Sequence, residues 1–174
     1  MDATRITFLV SAFATHAVVG YALVRGVTDA DPRLGVALGL LPDADFLFPA
    51  AWGWPLVHRG ITHTPLFAVA VVAVAYALRR DRTVALAVGL GIGSHLAIDS
   101  LSSKGIDWLF PLASTAGPGV PVHGPAATAV LWAASLGVLA WRTEGALAAS
   151  IAGDRSAHGS DRSDPSDRQA KRRE

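Results

Sequence analysis

The 174-residue chain is 51% hydrophobic and only 17% charged, with a mean hydropathy of +0.38, which is more apolar than a soluble domain of this length needs to be. A formal net charge of +1 offers neither the basic field of a nucleic-acid binder nor an acidic surface for a cationic partner. Cysteine is absent, so disulfides, thiolate nucleophiles and zinc-thiolate sites are excluded together, and any bound metal must be held by nitrogen and oxygen.

Taken in chain order, the predicted elements describe an all-α polytopic membrane protein. Residues 6–24 are apolar apart from small hydroxyls and His16, and these 19 residues reach about 28 Å, roughly the hydrocarbon thickness. The run is longer than a signal-peptide core and reads as a retained first span. Asp31-Pro32 then marks a helix start, and the apolar stretch ending at Leu41-Pro42 is too short to cross, so a re-entrant or interfacial half-helix is expected there. Residues 65–78 form a short second span that Thr64 caps, Pro65 opens and Arg79-Arg80 close. Residues 83–101 and 125–141 supply two more, giving about four spans in an integral domain over 1–152. Residues 153–174 mix Asp, Arg, Ser and Gly with little to bury and are expected to be disordered.

With four spans, Arg5, the Arg79–Arg82 turn and Arg142 fall on one side, which the positive-inside bias makes cytoplasmic. Arg25, Arg33, Arg59 and Lys104 then lie outside; counting the half-helix as a span would flip everything after it.

Five of the six histidines sit in or beside apolar segments, where an ionisable group is costly and is by default a functional candidate. His95 and Asp99 stand one helical turn apart on one face and suit either one metal ion or a self-neutralising pair. His58 and His63 bracket Arg59 at the entry of a span; solvated loop histidines are the bland alternative. Asp43 and Asp45 interrupt an apolar run and suit either ligation or a capped turn. His16, taken alone, reads as a buried histidine bonded to a neighbouring helix rather than as a ligand. His123 reads as a loop histidine and His158 belongs to the tail.

Counted from the cytoplasmic edge, His16 and His95 both rise roughly 15–18 Å, and the segment carrying Asp43, Asp45, His58 and His63 lies beyond them. Seven nitrogen and oxygen donors then converge at one face. That number exceeds a single zinc shell and suits two ions with a bridging carboxylate, although one four-coordinate site with supporting residues fits too. The expected cofactor is a divalent metal, Zn2+ by preference, in one to three copies.

The ordered blocks THAVVG (from Thr15), GLLPDAD (from Gly39), HRGITHT (from His58) and HLAIDSLSSKG (from His95), followed by Leu109 and Pro111, resemble those of membrane-bound metal-dependent hydrolases described as LexA-regulated inner-membrane hydrolases. The resemblance covers roughly residues 10–112. It implies a multi-pass helical protein in which His16, Asp43, Asp45, His58, His63, His95 and Asp99 hold metal. Ser102 stands where that family's pattern leads one to expect threonine, and a hydroxyl is kept. The ligand order His, PDxD, His, HxxxD bears a fainter similarity to zinc-dependent phospholipase C proteins.

The resulting expectation is hydrolysis of a phosphate ester on a lipid or lipid-linked, amphiphilic substrate at the outer face, with membrane lipids and no nucleic acid as partners. Asp43, Asp45 and Asp99 are candidates for bridging the ions or accepting a proton. Arg59 suits pairing with a phosphoryl oxygen, or anchoring at the headgroups, and Lys104 is a weaker candidate of the same kind. The competing classes are a metal transporter or sensor, and a structural His-Asp network. Substrate, metal identity and oligomeric state are not legible.

Overall fold

The computed structural model describes residues 2–112 and 117–160. Its described residues are helical, with five α-helices: α1 (Ala3–Val27), α2 (Arg33–Leu40), α3 (Pro65–Arg79), α4 (Arg82–Ser100) and α5 (Pro125–Ser160). Three 3-10 turns, Pro42–Leu47, Ala50–Trp52 and Ile61–His63, lie between α2 and α3. Three helices are long and apolar enough to cross a membrane: α1, α4 and the stretch Pro125–Ser150 of α5. With 15 residues, α3 is the shorter apolar helix that the sequence leads one to expect. Large apolar side chains face outward along these helices, Val10 at 62%, Val69 at 65% and Leu78 at 77% exposure, which suits lipid as the solvent. This is a helical membrane protein.

Local chemistry sets the helix ends. The Asp2 side chain accepts from the Arg5 amide at 2.7 Å and caps α1, while the Asp81 side chain does the same for Thr83 at 2.7 Å at the start of α4. Thr64 accepts from the Phe67 amide at 3.1 Å with Pro65 in the first turn of α3, and Arg80 in the left-handed region ends that helix. Asp31 Oδ1 accepts from the Arg33 amide at 2.9 Å, fixing the expected half-helix start.

At eight residues, α2 does not cross the membrane by itself. It lies antiparallel to α1 in a contact only glycine permits: a Cβ on Gly20 or Gly35 would collide with the other's carbonyl oxygen, and one on Gly39 would come 2.7 Å from the His16 carbonyl. On its other side the Gly35 carbonyl and Leu38 meet Gly91 and, one turn further along both helices, the Gly39 carbonyl meets His95, so α2 runs parallel to α4. Val88, Ile92 and Leu96 of α4 and Ile106 form the core, with Leu38, Val72 and Ala75 against it.

These contacts correct the depth argument. The sequence reading has α1 and α4 rising from one edge, with Arg5 beside Arg79-Arg80-Arg82. Instead α1 and α4 are antiparallel, and Arg5 lines the same cleft as His58, Arg59 and Lys104. The physical reason is α2: with the turns after it, this half-helix returns the chain to the side where α1 began, doing the work of a span. His16 and His95 still meet: His16 lies near the middle of α1, and His95, in the last third of α4, stacks on its ring.

The chain divides into two units, Met1–Leu139 and Ala140–Glu174. In the second, the described residues are helical to Ser160, so 153–160, expected to be disordered, continue α5. Residues 161–174, the remainder of that tail, lie outside the described residues.

Candidate metal centre

All seven predicted donors meet. The carboxylates of Asp43, Asp45 and Asp99 and the imidazoles of His16, His63 and His95 are buried, and His58 is partly exposed. The Pro42–Leu47 turn projects both aspartates from the end of α2, Gly60 and the Ile61–His63 turn direct His63 inward, and α4 delivers His95 and Asp99 from successive turns.

Hydrogen bonds set the imidazole tautomers. His95 Nδ1 donates to the Gly39 carbonyl at 2.7 Å, and His63 Nδ1 donates to Asp45 Oδ2 at 3.1 Å. Each Nε2 of the neutral ring is then a lone pair, and the two Nε2 atoms face each other at 3.2 Å. A cation, either a proton or a metal ion bound by both, is needed to relieve that contact. Two ligands at about 2.0–2.1 Å from a tetrahedral ion stand roughly 3.3–3.4 Å apart. His63 Nε2 is also 3.5 Å from Asp43 Oδ1 and 3.7 Å from Asp99 Oδ2, and His95 Nε2 is 3.8 Å and 3.7 Å from the same oxygens. His63, His95 and Asp99 thus make one three-donor group, with Asp43 beside both imidazoles.

Asp99 also faces the other way. Its Oδ1 lies 3.5 Å from His16 Nε2 and 3.1 Å from His123 Nε2, which makes a second donor group. The rings of His16 and His95 stack at 3.8 Å between the two groups. A further group joins Asp43, His58 and His63.

Asp45 has a different position. It receives His58 Nδ1 at 3.0 Å, Thr62 Oγ1 at 2.8 Å and the Arg59 amide at 3.2 Å besides His63, and no three-donor group includes it among the described residues. Burial raises its carboxyl, but the bonds from His58, His63 and Thr62 outweigh that and hold it well below the usual carboxylate range. Burial likewise lowers His63, and its contacts with Asp43 and Asp45 outweigh it, raising the imidazole above its ordinary value.

A match to the YdjM inner membrane protein family covers residues 11–153, and so every one of these donors. The chain belongs to that family. It is similar to the inner membrane protein YbcI of Escherichia coli (strain K12), with 34% identity over 113 residues, 56% of this chain and 65% of the relative, so it spans just under two thirds of that protein's length. No solved structure matches the chain.

Two residues of this family member differ from their sequence reading. His123, read as a loop histidine, is buried against Asp99. A signal was available: His123-Gly124-Pro125 repeats the pattern of His63-Thr64-Pro65, an imidazole two residues before the proline that opens a helix. Arg59, read as a phosphoryl partner or a headgroup anchor, lines the cleft but is also engaged inside the cluster. Its guanidinium turns inward to Asp99 Oδ2 at 3.0 Å, the Gly105 carbonyl at 3.0 Å and the Ser102 hydroxyl, from a backbone at φ 67°. The hydroxyl kept at Ser102 therefore has a use.

Proposed function

We propose that this family member is a membrane-embedded metal-dependent hydrolase acting on a phosphate ester of a lipid or lipid-linked substrate. The observation that carries the reading is the pair of facing Nε2 atoms, 3.2 Å apart and flanked by Asp43 and Asp99. His63, His95, Asp43 and Asp99 would hold one ion. His16, His123 and Asp99 would hold a second. When bound, such zinc-type ions supply Lewis acidity and a nucleophilic water near neutral pH.

The chain's own residues divide the remaining work. Asp45 fixes the His58 and His63 rings, as carboxylates behind metal-bound imidazoles do. Arg59 holds Asp99. A cavity of about 40 Å³ lies beside His16, Asp43, His58, Asp99 and His123, with room for a water. Asp43 lines it, and the nearest of its imidazole contacts is 3.5 Å away, so it is the carboxylate placed to accept the water's proton. The water oxygen bonds to phosphorus, the ester P–O bond breaks, and the leaving oxygen takes up the proton.

The side opposite the cluster carries Arg25, Arg33, Arg79, Arg80 and Arg82, against Arg5, Arg59 and Lys104 on the cluster's side. With the positive-inside bias, this distribution supports a site toward the extracytoplasmic face.

A second reading, a self-neutralising His-Asp network, is favoured by the 3.0 Å ion pair of Arg59 with Asp99. Hydrolysis separates the two. Purified protein in detergent is expected to cleave a chromogenic phosphate ester, to lose that activity on chelation and to regain it with zinc. Activity absent from the metal-reconstituted protein across phosphate monoesters and diesters would leave the network as the better account.

A further inference from the structure

Beside the cluster lies a cleft of about 690 Å³, within the range of small-molecule sites. His58, Arg59 and His123 form its floor and are shared with the small cavity next to Asp43 and Asp99. Its charge is one-sided: Arg5, Arg59 and Lys104 line it, and no carboxylate does among the described residues. Arg59 is committed to Asp99, whereas Arg5 and Lys104 are exposed and neither is paired with a carboxylate among the described residues. The start of α5 at Gly124-Pro125 opens on the same space and adds the partial positive charge of a helix N-terminus. Phe8 and Leu9 of α1 and Phe46 give it an apolar wall, Phe8 and Phe46 about half-exposed, and Ser102 and Ser103 also line it.

A cationic rim beside an apolar wall, at the end of a membrane helix, is complementary to an amphiphile whose head is an anion. We propose that Arg5 and Lys104 form a headgroup subsite that selects a lipid bearing an anionic phosphate, with Phe8, Leu9 and Phe46 receiving the start of its chain. This rests on the hydrolase reading for its meaning and names the substrate class of that site. Arg59 is a positioning residue that acts through Asp99, and the two exposed cations hold the ligand. The shared chemistry is a phosphate anion, which a lipid head or free phosphate could supply.

The test is equilibrium binding to the full chain in non-ionic detergent, with dihexanoyl phosphatidic acid, dihexanoyl phosphatidylcholine and inorganic phosphate as probes, on metal-loaded and chelator-stripped protein. Wild type is expected to bind phosphatidic acid about tenfold tighter than phosphatidylcholine, and an Arg5→Gln/Lys104→Gln double variant to lose that preference at unchanged metal content and Tm. The preference should persist in the stripped protein, so its presence does not depend on whether the metal site is catalytic. A double variant with the preference intact overturns the assignment to these two residues. Inorganic phosphate binding as tightly as phosphatidic acid overturns the lipid and assigns the subsite to free phosphate.

Discussion

Asp99 gives one oxygen to His63 and His95 and the other to His16 and His123, so a single carboxylate joins the two halves of the cluster. Asp45, only two residues from Asp43, is instead surrounded by donors from His58, Thr62, His63 and the Arg59 amide. Both carboxylates reach His58 and His63, but Asp43 faces the Nε2 atoms of His63 and His95 while Asp45 takes the Nδ1 side of His63 together with Thr62 and the Arg59 amide. Replacing Asp45 with Asn removes charge from behind two imidazoles while keeping the turn. The expected result is a metal affinity roughly 10–100-fold weaker in competition with a chelator, at nearly unchanged helicity; unchanged affinity would remove Asp45 from its supporting role. Donor types and the HRGITH and PDAD spacings were readable from the sequence, because each lies within a few residues. His123 carried only the local sign of an imidazole two residues before Pro125; its approach to Asp99 was not readable, because it depends on a long connection in which the Val120 amide returns to the Leu101 carbonyl at 2.8 Å.

Among the elements, α2 decides the most. Its start was legible at Asp31-Pro32, and so were the cap and first turn of α3 at Thr64-Pro65, since caps are local chemistry. What α2 does stands open in the sequence between a half-helix that stays on one side and one that counts as a span. Whether a short apolar helix dips and exits on the same side or carries the chain back depends on its contact with α1, and that contact rests on Gly20 and Gly35 approaching closer than any Cβ allows. Because α2 also supplies the Gly39 carbonyl to His95 and leads into Asp43, its seating and the metal shell are coupled. A Gly35→Leu variant should lose about 1–3 kcal/mol or more to overpacking, read as a lower Tm in detergent, together with reduced metal content. Wild-type stability in that variant would mean the helices are not so closely apposed.

At the scale of the whole molecule, the direction of α1 fixes the topology. The N-terminal turn, with Arg5, lies on the same side as Lys104 and opposite the Arg79–Arg82 turn. Because the chain has no cysteine, single-cysteine labelling is clean. Asp2→Cys and Lys104→Cys should be modified by an impermeant maleimide from one face of the membrane and Arg80→Cys only from the other. Shared labelling of Asp2→Cys and Arg80→Cys would restore the parallel arrangement of α1 and α4. Central to the account, however, is that the facing imidazoles and the bridging carboxylate exist to hold ions, and elemental mass spectrometry of the detergent-purified chain addresses this directly. Wild type should carry one to three zinc or similar ions per chain, and His63→Ala and Asp99→Ala, each shown to be folded, should both lose them; a wild-type protein without metal even after reconstitution would contradict the account and make the cluster a structural network.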